Sequence, residues 1–201
     1  MTTIYFVRHA ESDHRVQHDR IRPLTDKGMK DRTQVSEYLQ DKYVDVVLSS
    51  PYKRAVDTIK HFADEKGLPI HCIKDFRERK VGQWVDDFHA FSKKQWEDFT
   101  YKLPNGESLG EVQERTIGAL NQLLNEHHNK ILAISSHGTA LSTIINYYDA
   151  TYGFTDFEQM KHLMPWIVKM KFEHKICKRI ETIDLFQNRI EPRWSNEKNS
   201  R

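Results

Sequence analysis

Apolar positions along this chain come in two rhythms. Ile4, Tyr5, Phe6 and Val7, then residues 44–50 (VDVVLSS), 68–73 (LPIHCI) and 130–136 (KILAISS), are short, nearly unbroken apolar runs. Runs of that length, rich in β-branched and aromatic side chains, predict strands buried on both faces. Between them the spacing turns helical. Val35, Tyr38 and Leu39 predict a helix over 27–41 that follows Thr25 and Asp26. Pro51 suits the first turn of a helix running to about residue 65, with Ser49 or Ser50 as its cap. Val112, Thr116, Ile117, Leu120, Leu123 and Leu124 draw one apolar face along residues 107–129, and a further helix is expected over 139–147. Residues 166–183 alternate in two runs about Glu173, His174 and Lys175, which predicts a hairpin.

Two stretches follow neither rhythm. Residues 80–105 mix polar side chains with Trp84, Phe88, Phe91, Trp96, Phe99 and Tyr101, and read as a partly helical cover in which Trp84, Trp96 and Phe99 pack. Residues 188–201 read as a polar, frayed tail. Alternating strand and helix imply an α/β fold. The expected form is a three-layer sandwich with a mostly parallel central sheet, an antiparallel edge, helices on both faces and a small cap. A single domain over 1–187 is expected, with the cap inserted at 80–105.

Composition narrows the class. Thirty-one Lys and Arg against 29 Asp and Glu leave a net charge of +2, without the basic excess expected of a nucleic-acid partner. Eleven histidines point instead to proton traffic near neutral pH. Cys72 and Cys177 offer neither a metal spacing nor a disulfide framework and are expected to be buried free thiols in a reducing compartment. No signal segment and no apolar run long enough to span a bilayer is found, so a soluble cytoplasmic enzyme or binding protein is expected.

The chemistry gathers at strand ends. In open α/β sheets, sites form outside the carboxyl ends of the strands. The first run delivers Arg8 and His9, the second leads into a helix with Arg54 in its opening turn, and the run at 130–136 delivers His137 and Gly138. Each alone is ordinarily a solvated charge or a bystander. Together on one sheet edge they would repel one another unless a polyanion sat among them. Guanidinium forks match phosphate, and helix N-termini near Pro51 and Thr139 would add positive potential. Ser136 beside His137 lacks the acid and nucleophile turn of a hydrolase triad.

"RHAES" at 8–12 resembles the Arg-His-Gly signature of the histidine phosphatase superfamily, the phosphoglycerate-mutase-like proteins. The resemblance continues in "RPLTDKG" (22–28), "SSPYKRAVDT" (49–58), "FRERKVGQW" (76–84), "PNGES" (104–108) and "SSHGTAL" (135–141), in the family's order. It implies that His9 is the nucleophile that becomes phosphohistidine. Arg8, Arg54 and a protonated His137 would form the phosphate pocket, and Glu78 would be the general acid. Ser12 and Arg15 would be further substrate contacts, with neither metal nor cofactor. A neutral imidazole can attack phosphorus if its other ring nitrogen is held by an acceptor. Glu78 can protonate the leaving alkoxide if burial under the cap raises its pKa, although in "RERK" it could equally be ion-paired.

Ala10 stands where the family commonly has Gly, and Arg15 where phosphoglycerate mutases carry Asn. The chain also lacks the length those mutases insert around the cap. Arg15 and the missing length favour a compact phosphatase acting on a small phosphorylated substrate. A mutase, or a phospho-ligand binding module with little turnover, remains the alternative. The basic loop from His14 to Arg22 reads equally as a contact for an acidic substrate or as an ordinary surface loop.

Overall fold

A computed structural model of the chain describes residues 1–196. Strands β1 (Thr2–Arg8), β2 (Val46–Ser49), β3 (Ile70–Cys72), β4 (Ile131–Ser136), β5 (Trp166–Glu173), β6 (Ile176–Asp184) and β7 (Arg189–Ser195) form one sheet. Their order is β3-β2-β4-β1-β5-β6-β7. The β3, β2, β4 and β1 strands are parallel, and β5, β6 and β7 continue the sheet as an antiparallel meander from β1.

Helices α1 (Asp26–Leu39) and α2 (Lys53–Lys66) cover one face, where Val35, Leu39, Ile59 and Phe62 pack on Tyr5 and Val7. The other face carries α4 (Leu109–Glu126), α5 (Gly138–Tyr148) and α6 (Phe154–Met160), whose Leu120, Leu124, Leu141, Ile144 and Phe157 pack with Ile4 and Phe6. The alternating side chains of β1 are thus buried on both faces, as its unbroken apolar run requires. Helix α3 (Phe88–Glu97) lies within the expected cap. It is anchored by Trp96 against Phe99, Tyr152 and Phe157 at 5.5, 5.9 and 5.7 Å.

Local chemistry explains several boundaries. Thr25 caps α1 by accepting from the Gly28 amide, and Ser108 and Glu111 close a capping box on α4. Helix α2 ends at Gly67, whose φ of 65° no β-carbon hinders. Its start differs from expectation. Neither Ser49 nor Ser50 caps it, because Ser50 Oγ is turned to the Tyr52 amide and to His137, and the helix begins at Lys53.

Three other expectations are corrected. Residues 189–195 are a paired strand, not a frayed tail: as an edge strand, β7 is held by the backbone ladder to β6 and buries little. The part of the expected tail at 197–201 lies outside the described residues. Cys72, on the short edge strand β3, is exposed, whereas Cys177 is buried. Trp84 is 82% exposed rather than packed in the cap. Helix α6 has no counterpart among the expected elements.

Candidate active site

The carboxyl ends of β1, β2 and β4 open on a cleft of ≈ 890 Å³. The sheet register places Arg8 opposite Ser136, so His9 and His137 emerge side by side from adjacent parallel strands. Their rings stand 5.2 Å apart at 64°. Arg54, one residue into α2, reaches back so that its Nε donates to His9 Nε2 at 3.2 Å. The convergence expected from three strand ends is therefore present. All four side chains are buried, with His137 at 0% exposure behind the cleft surface.

Each group has a defined bonding state. His9 Nδ1 lies 2.7 Å from the Ala10 carbonyl, so Nδ1 carries the proton and Nε2 keeps its lone pair. Arg8 Nη1 donates to the carbonyls of Met160 and Leu163 at 2.6 and 3.0 Å, while its Nε is buried without a partner among the described residues. Gly138 leaves room for that guanidinium, since a β-carbon there would meet Arg8 Nε at 3.2 Å. Arg54 donates to the Asp19 carbonyl at 2.6 Å and pairs with the Asp19 carboxylate at 3.0 Å. His137 Nε2 and Ser50 Oγ are 2.7 Å apart, and His137 Nδ1 has no partner among the described residues.

Burial dominates the electrostatics. It holds the His9 imidazole well below its ordinary range, and Arg54 and Arg8 push it further down. The same holds for His137, where burial acts first and Arg54 and His9 add to it. Burial beside existing cations thus works against the protonated His137 that was expected. Arg8 is pushed down to about 10 by burial, against the opposing pull of Glu78.

Glu78 is not ion-paired with its neighbours. Arg77 pairs with Glu107 and Asp75, and Arg79 Nη1 is bonded to Gln95 Oε1. The Glu78 carboxylate instead accepts from the amides of Arg79, Thr139 and Ala140 at 2.8, 3.1 and 3.2 Å. It thereby takes two of the N-terminal N–H groups of α5 that a phosphate was expected to use. Its backbone is clamped by Arg115 of α4, which donates to the carbonyls of Asp75, Arg77 and Glu78 while bridging to Glu107.

Of the two further contacts expected, Ser12 is buried and lines the cleft. Arg15 does not. Its side chain is 90% exposed and folded back on Asp13, outside the lining. The rest of its loop does reach the cleft: His14, His18, Asp19, Arg20 and Arg22 line it, tied to α2 through the Lys53 amide on the Arg20 carbonyl. Arg79, Arg115 and Asp19 were not singled out from the sequence. The adjacency of Arg79 to Glu78 and its spacing to Phe88, Phe91 and Gln95 were the available signals.

The family model of the histidine phosphatase superfamily, branch 1, matches residues 4–183. The chain belongs to that superfamily. A Bacillus subtilis (strain 168) protein named uncharacterized phosphatase PhoE is 31% identical over 149 residues, 72% of this chain and 76% of that protein. Phosphoserine phosphatase 1 of Hydrogenobacter thermophilus is 29% identical over 152 residues, 68% of this chain and 71% of its own. Among solved structures, Bacillus stearothermophilus YhfR superposes with a TM-score of 0.74 at 21% identity, covering 88% of this chain and 94% of that one. That likeness is one of fold. No helix among the described residues is long and apolar enough to cross a membrane.

Proposed function

We propose that this histidine phosphatase superfamily member is a phosphomonoesterase working through a phosphohistidine on His9. The observation that carries the reading is the His9 tautomer. Its Nδ1 proton is given to the Ala10 carbonyl, so Nε2 keeps a lone pair, which accepts from Arg54 Nε and is freed when that N–H turns to a phosphoryl oxygen. Nε2 attacks phosphorus and the ester P–O bond breaks. Arg8, with an unused Nε, and Arg54 neutralise the phosphoryl oxygens. His137 serves as a neutral donor: with Ser50 Oγ donating to Nε2, its proton sits on the unpartnered Nδ1.

Glu78 gives the leaving alkoxide its proton and, as a carboxylate, takes one from the water that attacks the phosphohistidine. Three backbone amides occupy three of its four acceptor positions, which leaves one on Oε2 for that proton. Inorganic phosphate then leaves with His9 restored. The positive charge comes from side chains, so turnover is expected to persist in EDTA.

Rapid quenching during turnover of a labelled phosphoester tests the reading. An acid-labile, base-stable phosphoenzyme is expected, absent in His9→Ala at unchanged melting temperature. An acid-stable phosphoenzyme, or turnover by His9→Ala at the wild-type rate, would overturn it. Release of inorganic phosphate, rather than bisphosphate-stimulated transfer within a sugar acid, separates the phosphatase from the mutase. Arg15 in place of Asn and the short cap support the phosphatase.

A further inference from the structure

Asp19 brings a negative charge to the phosphate pocket, where the phosphoryl chemistry calls for positive ones. It lines the cleft, and its carboxylate pairs with Arg54 Nη2 at 3.0 Å. Arg54 Nη1 donates to the Asp19 carbonyl at 2.6 Å, and its Nε donates to His9. All three nitrogens of this guanidinium are therefore engaged within the chain. A phosphoryl group arriving at His9 has to compete for them.

The two Asp19 contacts are not equivalent. The carbonyl belongs to a loop whose backbone is tied down: the Lys53 amide of α2 donates to the Arg20 carbonyl at 3.0 Å, and Arg22 Nε donates to the Val16 carbonyl at 2.9 Å. The carboxylate is free to move. Its side chain is 43% exposed, against 3% for Arg54. A second cation is also in place for it, since Arg22 Nη1 lies 3.3 Å from the same Oδ1. The carboxylate can thus leave Arg54 for Arg22 and water without being stranded.

Orienting Arg54 does not require that charge. Arg8, the other guanidinium of the floor, is tethered by two carbonyls, those of Met160 and Leu163. Arg54 already has the Asp19 carbonyl, and its guanidinium stands 5.2 Å from the centroid of the Tyr52 ring. What the carboxylate adds is an anion beside the place where another anion must bind. Burial pushes the Arg54 guanidinium down, and Asp19, ahead of Glu78, opposes it. Two buried arginines without such a counterion would hold inorganic phosphate as readily as the ester that delivers it. An enzyme of this kind must release that product in every cycle.

We propose that Asp19 is an internal counterion that sets the phosphate affinity of the pocket. Its carboxylate pairs with Arg54 in the empty site, moves to Arg22 when a phosphoryl group enters, and competes with inorganic phosphate for Arg54 at the end of turnover. This rests on the phosphatase reading given above for the identity of the product.

Calorimetric titration of inorganic phosphate into the resting protein tests it. Asp19→Asn keeps the side chain's shape and the backbone carbonyl while removing the charge. Its Kd for phosphate should fall about fivefold to tenfold, the scale of one partly exposed charge pair. KM for methyl phosphate and for phenyl phosphate should fall by that same factor, because the ester phosphate is common to both. Asp13→Asn is the control. It removes a carboxylate of the same loop that is bound to Arg15 outside the cleft lining, and should move the Kd by less than about twofold. A Kd that rises in Asp19→Asn would show that the carboxylate orients Arg54, and an unchanged Kd that it is idle. An equal gain in Asp13→Asn would reduce the effect to net charge. Each of these overturns the proposal. Absence of hydrolysis in wild type, with the gain in phosphate affinity intact, would sink the phosphatase reading alone. Normal hydrolysis with an unmoved Kd would sink this one alone.

Discussion

Arg8 and Arg54 on the floor of the cleft and Arg79 on its wall are all buried guanidiniums, but the chain secures them by different means. Arg8 ends a central strand, in register between Ser136 and Trp166, and Arg54 occupies the first turn of α2. Their backbones are fixed by the ladder and the helix, so only the guanidinium needs a tether. The wall has no such frame. Between Phe76 and α3 the chain is irregular, and its path is set by contacts from far along the sequence. Gly82, at a φ of 95°, packs so closely on the 104–106 loop that a β-carbon would meet the Pro104 carbonyl oxygen at 2.4 Å. Arg115 clamps three carbonyls of the same segment. A floor residue is placed by secondary structure. A wall residue is placed by side chains that must themselves be in place.

The largest effect should therefore come from a wall clamp. Arg115→Met strands the carbonyls of residues 75, 77 and 78 and leaves Glu107, half-buried, with Arg77 as its remaining cation. Breaking a partly buried charged network of this kind costs about 3 kcal/mol. Denaturant unfolding should show that loss, and kcat should fall with it because Glu78 is no longer fixed. If stability drops while kcat holds, Glu78 is positioned by the α5 amides alone and the wall depends less on its clamp than its bonding implies.

The floor should respond to pH instead. His9 and His137 are held well below 6.5 in the folded protein, while in the unfolded chain they titrate near it. Below pH 6.5 the unfolded state takes up protons that the native state refuses. Stability is then complete above 6.5 and declines as the pH falls through it, by at most about 1.4 kcal/mol per histidine per pH unit. His14, also lowered by burial, adds in the same direction. His137→Gln should flatten the slope by close to one histidine's share. A slope unchanged by that substitution would mean that His137 already protonates in the folded protein, and the floor would be more hydrated than its burial indicates.

The same contrast decides how far the sequence could be read. Floor residues were legible because their signals are local: an apolar run followed by a basic residue marks a strand end, whichever neighbours the strand finds. Arg8, His9, Arg54 and His137 converge only if those strands are neighbours, and the order β2-β4-β1 makes them so. Counting cations does not register the desolvation that works against a charged His137. Arg15 failed for a different reason. A carboxylate two residues away, on Asp13, offers a bidentate partner and captures the side chain before any ligand can. Strand β7 was silent because an edge strand with Pro192 near its centre needs no apolar alternation, only the open ladder of β6. Arg79 offers only faint signals beside Glu78, because its environment is assembled from Phe88, Phe91 and Gln95 on a helix whose position the sequence does not fix.

The smallest effect concerns Trp84, at the lip of the wall. Trp84, Trp96 and Phe99 all read as cap packing, yet the two tryptophans meet different fates. Trp96 is 9% exposed among three rings, whereas Trp84 is 82% exposed and tied by its indole N–H to Asp86 at 2.8 Å. An indole that buries so little area contributes little through burial, so Trp84→Ala should change unfolding free energy by no more than about 0.5 kcal/mol. Because Trp84 still lines the cleft, its removal should be felt in KM for substrates with a long organic part and not for short ones. A stability loss comparable to that of a core aromatic would show that the lip folds down on the cleft in solution. The wall would then be a closing element rather than the fixed one its clamps describe.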